Sequence, residues 1–383
     1  MIIKNISLFY LKSKKFHSSY PRPSFYKNGI IFLKLQCDEN LSGYGEISPY
    51  IADKKEIFKY CEKISNTYFK NKRVNLNYVY SLKIKNYDFI FQSLLSAYDQ
   101  AIHDIYAKRK KISVAKYLGF KKSKRPNFYA SGGMIFENQS YNKILNEALK
   151  AKEEGYFGYK FRPKMPKEDL NHFQRMKNPP KINVKELEKF SEILRLKLGE
   201  KFKIMIDLGC RLKNIKETKY LFKMFSEHNY YFVEEPFPRK PSFYINQKKN
   251  LSGVKISGGE HIFNLDEFNK WSKTKLFDFF QPDTNLLLYK EMSKIINIVG
   301  SKNIILHNWC SKINFMSNIS FAFSLNKNLL IEKNMLKNPY DKFFVSGLEK
   351  IKSGKISLPK SFGFGISFKK KIDSNYIIYE KKI

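Results

Sequence analysis

The rhythm of apolar and polar positions changes twice along this chain. In residues 1–50 the runs NISLFYL and GIIFLKLQC are dense in β-branched and aromatic residues and predict strands. Between them KSKKFHSSYPRPSFYKNG is polar, basic and proline-bearing, a loop, and GYGEISPY is expected to turn the chain at Gly43 and Gly45. Residues 54–120 shift to helical spacing. In FIFQSLLSAYDQAIHDIYAKRK, the residues Leu94, Leu95, Tyr98, Ala101, Ile102 and Ile105 recur at that spacing. Pro126 breaks the chain after LGFKKSKR, so a first domain is expected over 1–125 and a second over 126–339.

In the second region short apolar runs alternate with Lys/Glu-rich, helix-like stretches. The runs are NFYASGG, YFGYKFR, KIMID, YYFVEE, GVKISGGE, FDFFQPD, NIILHN and NLLIEK. Eight strands alternating with helices predict an α/β fold of parallel β/α units. An open doubly wound sheet would offer a G-x-G-x-x-G turn after an early strand, and none stands there. Six consecutive runs end in a chemically active head: Asp207, Glu234, Glu260, Asp283, His307 and Glu332, spaced 27, 26, 23, 24 and 25 residues apart. One acid at a strand end is ordinarily just solvated. Six in phase point to a closed barrel, which gathers its strand ends around one mouth. The strand before them carries Lys160 and Arg162, two apart and so on one face. From Arg162 to Asp207 the distance is 45 residues, so an inserted flap or rim is expected within 163–183.

Composition changes the picture only in places. The 383 residues are 43% hydrophobic and 16% aromatic, enough for a large core. The formal charge of +36 invites a nucleic-acid partner. Only nine of the 71 basic residues are Arg, however, and the Lys are scattered rather than gathered in a patch, so no nucleic-acid partner is expected. Cys37, Cys61, Cys210 and Cys310 form no CxxC and read as reduced, buried thiols. The opening MIIKNISLFYLKSKK has too short an apolar run for a signal peptide, and no window reaches the length of a membrane span. A soluble, cytoplasmic protein without a membrane partner is expected.

The heads themselves suggest chemistry. Asp207, Glu234 and Glu260 on adjacent strands would repel one another, and a divalent cation resolves this. Oxygen-only ligands favour Mg²⁺, whereas Zn²⁺ would want His or Cys. In VEEP only one glutamate faces inward, assigned to Glu234, leaving Glu235 to point away or to pair with a nearby cation. Cys210 is expected to pack. Asp283 beside His307 would fix the imidazole's tautomer and stabilise its charged form, the arrangement of a general base.

Taken in order, YASGGM, the cation-x-cation strand end, IDLG, VEEP, GGEH, QPD, LHNW, LIE and SFGFGI resemble the mandelate racemase subgroup of the enolase superfamily over most of the chain. The resemblance implies a modified (β/α)₇β TIM-like barrel under an N-terminal α+β capping domain, with a C-terminal segment of about 340–383 returning to the cap. It also implies Mg²⁺-assisted removal of a proton next to a carboxylate. A Lys or His base working with Mg²⁺ is a known property of that superfamily rather than a reading of these residues. Lys160 and Arg162 would face the substrate carboxylate and its developing enediolate, with a protonated Glu332 donating to the same oxygen.

Two departures matter. Racemases of this type carry Lys-x-Lys, but here Arg162 stands at the second position, and guanidinium does not serve as a base. Gly209 stands where many members have Asn. One competent base suits dehydration better than racemisation. The expected activity is an acid-sugar dehydratase releasing a 2-keto-3-deoxy acid. The alternatives are a racemase or epimerase with Lys160 as second base, and a barrel that binds without catalysing. In the cap loop His17, Tyr20 and Arg22 are candidates for holding the far end of a polyhydroxy acid. A small-molecule carboxylate is the expected partner, and a homo-oligomer the expected assembly.

Overall fold

The computed structural model describes the chain except for residues 15–28, 49–53, 83–87, 122–125, 167–178, 328, 347–352, 359–360 and 370–375. His17, Tyr20 and Arg22 lie outside the described residues, as does most of the 163–183 insertion.

Three N-terminal strands, β1 (Ile3–Ser13), β2 (Ile30–Cys37) and β3 (Ser42–Ile47), form an antiparallel sheet. The chain's last strand, Tyr376–Lys382, pairs with β1 from Ser7 opposite Lys382 to Ser13 opposite Tyr376, so both ends of the chain share one sheet. The turn expected at Gly43 and Gly45 is corrected: both lie within β3. Their glycines answer a tertiary demand. The buried helix Phe89–Arg109 lies across β3, and a Cβ on Gly45 would stand 1.8 Å from the carbonyl oxygen of Ala97. Asp88 caps that helix, accepting from the Ile90 and Phe91 N–H groups.

The other eight strands make one parallel sheet: β4 (Asn127–Ser131), β5 (Gly158–Phe161), β6 (Lys203–Asp207), β7 (Tyr230–Glu234), β8 (Ile256–Gly258), β9 (Phe279–Phe280), β10 (Ile305–Leu306) and β11 (Leu330–Asn334). Their spatial order is β10-β11-β4-β5-β6-β7-β8-β9, and a parallel bridge from Phe280 to Ile304 joins the two edges into a barrel. The eight runs read from the sequence are these strands. Several helices between them begin on an asparagine side chain that accepts a backbone N–H: Asn183 from Glu186, Asn214 from Lys216 and Asn264 from Glu267. The C-terminal segment docks on the cap helix, Phe364 N–H donating to Asp104 Oδ1 at 2.8 Å. Among the described residues no helix is long and apolar enough to cross a membrane.

Candidate active site

The site follows from the period of two in a strand. Tyr129, Met205, Phe232, Phe279 and Ile305, from five strands, pack together as a cluster of their own, with Leu330 against them. Their sequence neighbours Ile204, Ile206, Val233, Phe280, Leu306 and Ile331 belong to the outer core beneath the helices. The first set is therefore the floor inside the barrel. Two residues further along each strand stand Ser131, Asp207, Glu234, Gln281, His307 and Glu332, all buried. The strand that packs an apolar residue inward at one level must point a polar one inward at the next.

Lys160 and Arg162 do look the same way. The Lys160 ammonium stands 2.6 Å from Glu234 Oε2 and 2.7 Å from Glu332 Oε1, above the ring of Tyr129. Burial opposes its charge, but the two glutamates hold its pKa well above the usual lysine value. Arg162 pairs with Asp207 and lies over the indole of Trp309. Glu260 is met by Arg239 at 3.1 Å, by His261 Nε2 at 2.9 Å and by His307 Nε2 at 3.3 Å. Burial raises the Glu260 pKa, but the His261 and His307 imidazoles and Arg239 outweigh it and bring the carboxyl well below the ordinary range. Glu234 goes the other way: burial and the charges of Asp207, Glu332 and Glu260 overcome Lys160 and push it up. Glu235 turns from this cluster to Arg239 and to the N–H of Gly259.

His307 donates from Nδ1 to Asp283 Oδ2 at 2.8 Å. Burial disfavours its charge, yet the Asp283 hydrogen bond and the carboxylates of Glu260 and Glu332 lift its pKa to about 9. Nε2 faces the carboxylate cluster, 4.0 Å from Glu332 Oε2. Glu332 corrects one expectation. It receives donors only: Lys160, Trp309 Nε1 at 2.6 Å and the Asn308 N–H at 3.2 Å. Burial alone would raise its pKa, but the Lys160 and His307 charges bring it down, so it stands here as a carboxylate acceptor rather than a protonated donor.

Mg²⁺ can be tested against these groups. Among the described residues no three His, Cys, Asp or Glu side chains are gathered closely enough to hold an ion; each acid is neutralised by its own cation instead. The donor chemistry nonetheless fits. Asp207, Glu234 and Glu260 offer oxygen alone, and Glu234 Oε1 is buried with no hydrogen-bond partner. Gly209 sits at φ +55 and donates its N–H to Asp207 Oδ1 at 2.8 Å. A Cβ there would reach Asp207 and Arg162 only at about 4 Å, so the space an asparagine would fill beside them is open. Cys210 is buried and unbridged, 3.6 Å from Glu235 Oε2.

Sequence reasoning passed over Gln281, Trp309 and Arg239. Gln281 Nε2 donates to Glu234 Oε2 at 2.5 Å. Its signal is the same alternation, two residues beyond the floor residue Phe279 and two before the acid of QPD. Arg239 has no such signal, because it reaches Glu235 and Glu260 from a loop.

Comparison with known proteins agrees with this architecture. A family model described as enolase C-terminal domain-like matches residues 143–372. An arabinonate dehydratase of Saccharolobus solfataricus is 26% identical over 294 residues, 74% of this chain and 71% of that protein. A D-gluconate dehydratase of Thermoproteus tenax is 26% identical over 194 residues, 49% of this chain and 36% of that one. A solved structure described as an enolase from environmental genome shotgun sequencing of the Sargasso Sea superposes with a TM-score of 0.80 at 21% identity, covering 100% of this chain and 98% of the other. Since the family model spans more than half of the chain, the protein is a member of the enolase superfamily.

Proposed function

We propose that the chain is a dehydratase of an acid sugar, an aldonic or aldaric acid, and that it removes the proton next to the carboxylate and expels the β-hydroxyl. The observation that carries this reading is the His307–Asp283 dyad facing a strand end, Lys160 and Arg162, that offers no second base. His307 is backed by Asp283 at 2.8 Å and turns Nε2 toward the acids. The two basic side chains of the facing strand suit fixed positive charge: the Lys160 ammonium is enclosed by two carboxylates, and Arg162 is a guanidinium. The likeness to two sugar-acid dehydratases supports the same substrate class.

In this reading His307 works as a base once Glu260, one of the carboxylates that lift its pKa, is engaged as an Mg²⁺ ligand; Nε2 then takes the α-proton, and the C–H electron pair moves into the enediolate. Lys160 and Arg162 offset the negative charge on the substrate carboxylate. The imidazolium, steadied by Asp283, then gives its proton to the β-hydroxyl, the C–O bond breaks and water leaves. The enol rearranges to the 2-keto-3-deoxy acid, so substrate becomes product plus one water. Asp207, Glu234 and Glu260 would hold Mg²⁺, which when bound supplies a divalent charge against the same carboxylate. Glu332, as an acceptor, keeps Lys160 in place.

A panel of aldonic and aldaric acids, assayed in D₂O with Mg²⁺ for both keto-acid release and α-deuterium incorporation, tests this. Release of a 2-keto-3-deoxy acid from one or a few members is expected. Deuterium incorporation with inversion at the α-carbon and no keto acid would replace the proposal with racemisation using Lys160.

A further inference from the structure

The face of Asp283 turned away from His307 leads to the capping domain by an unbroken run of buried hydrogen bonds. Asp283 Oδ1 receives three donors: Asn314 Nδ2 at 2.8 Å, Asn318 Nδ2 at 3.1 Å and the Asn285 N–H at 2.9 Å. That leaves Oδ2 for the imidazole. Asn314 cannot turn its amide over. Its Oδ1 accepts from Thr284 Oγ1 at 3.0 Å and from Gln100 Nε2 at 3.3 Å, so Nδ2 must point to Asp283. Gln100 belongs to the cap helix and is itself fixed at both ends. Its Nε2 also donates to the Thr284 carbonyl at 2.8 Å, and its Oε1 accepts the Glu46 N–H at 3.0 Å. Glu46, on β3 of the cap, then accepts from Ser311 N–H at 2.8 Å, Ser311 Oγ at 2.5 Å and Asn314 N–H at 3.1 Å, gripping the start of the helix Lys312–Ser324 that carries Asn314. Glu46, Gln100, Thr284, Asn314 and Asp283 are all at most 2% exposed, so bulk solvent does not reach these links.

Because each group has one way to satisfy its neighbours, the orientation passes down the line. Gln100, together with Thr284, fixes the Asn314 amide; the amide, together with Asn318 Nδ2 and the Asn285 N–H, holds Asp283 Oδ1; and the oxygen left over fixes the tautomer and ring angle of His307. We propose that Gln100 is a positioning residue for the base: the capping domain sets the tautomer and orientation of His307 through Asn314 and Asp283, so that docking of the cap and competence of the base are one property. For its effect on turnover this rests on the reading of His307 as the base. For its effect on the ring it does not.

The test uses the full chain with Mg²⁺ and the variants Gln100→Met and Asn314→Ala, alone and combined. Each single change is expected to lower kcat on the order of tenfold, with KM nearly unchanged. The combined variant should be no worse than the poorer single one, because both cut the same line. Without substrate, the downfield proton resonance of His307 Nδ1–H, assigned by its loss in His307→Asn, should shift or broaden in both. A merely structural role would lower thermal stability without moving that resonance or separating kcat from KM. An unchanged resonance with unchanged kcat in Gln100→Met, or losses that multiply in the combined variant, would overturn the proposal. Should Gln100→Met not fold, Asn314→Ala alone, which removes the amide donor to Asp283, carries the same expectation. If no acid sugar is turned over, the proposed reaction falls and the resonance alone decides the positioning role.

Discussion

The floor of the barrel and its mouth are built from the same strands, two residues apart, yet they answer to different physics. On the floor, Tyr129, Phe232 and Phe279 meet edge-on with ring centroids about 6 Å apart, filling space with dispersion contacts. At the mouth, Lys160, Asp207, Glu234, Glu260, His307 and Glu332 are buried charges held by one another. Lys160 sits over the Tyr129 ring at the boundary. The apolar floor excludes water from below, and that exclusion strengthens every interaction above it. Stability comes from the lower layer, while the upper layer costs stability and provides the chemistry. Substitutions in the two layers should therefore part company, one moving the unfolding temperature and the other moving turnover.

The widest separation is expected at His307. His307→Asn keeps an N–H donor near the Nδ1 position for Asp283 and removes the proton acceptor, so keto-acid release should fall roughly 10²–10⁴-fold. Thermal unfolding and Mg²⁺ binding, read by calorimetry, should change little. Turnover close to that of the parent would remove the imidazole from the mechanism. Directly below, Phe232→Ala opens a cavity that the surrounding rings fill only in part. It should cost about 3–5 kcal/mol in denaturant unfolding, with the chemistry impaired only as far as Glu234 shifts on the same strand. A loss of turnover without loss of stability there would mean that floor and mouth are not separable.

Much of this layering was legible in the chain. Met205-x-Asp207, Phe232-x-Glu234, Phe279-x-Gln281 and Ile305-x-His307 state in sequence that one face of each strand changes from apolar to polar at its end. The same regularity made the barrel readable, because every unit repeats it. What escaped depends on approach between distant elements. Gly43 and Gly45 suggested a turn because glycine does so locally, and the helix backbone that actually requires them is about 50 residues away. The pairing of Arg162 with Asp207 and the ionised state of Glu332 depend on which charge is nearest in space. No spacing in the chain announces that Gln100 lies behind Asp283.

A sharper contrast comes from Glu234. Burial among three other acids raises its pKa, so its charge is held at a cost that folding must offset. Glu234→Gln removes that cost and leaves Lys160 paired with Glu332 at 2.7 Å. The metal-free variant should melt a few degrees higher than the parent, the opposite sign to Phe232→Ala. Mg²⁺ affinity, by titration calorimetry, should fall by more than the roughly 10–100-fold lost when a residue behind a metal ligand is removed. A lower melting temperature would show that the Lys160–Glu234 pair supports the fold more than the crowding strains it.

The smallest effect lies where the cap meets the barrel, and it is read through pH. Burial pushes the Glu46 carboxyl up to about 7 against the lowering effect of its Ser311 and Asn314 hydrogen bonds, with Asp283 adding to the rise. Glu291, which accepts from the Leu288 N–H and from Gln92 of the cap helix, is likewise raised to about 7, chiefly by burial. In the unfolded chain both release their protons near the ordinary glutamate value, so between about 4.5 and 7 the folded protein holds protons that the unfolded chain has lost. Stability from these two groups is therefore present at the acid end of that window and declines as pH rises through 7. Melting temperatures recorded from pH 5 to 8 should fall by a few degrees in the parent on this account. Glu46→Gln should flatten the fall without abolishing it, because Glu291 keeps its share. A slope identical to the parent's would place the Glu46 proton elsewhere and leave the seam between cap and barrel indifferent to pH at this position.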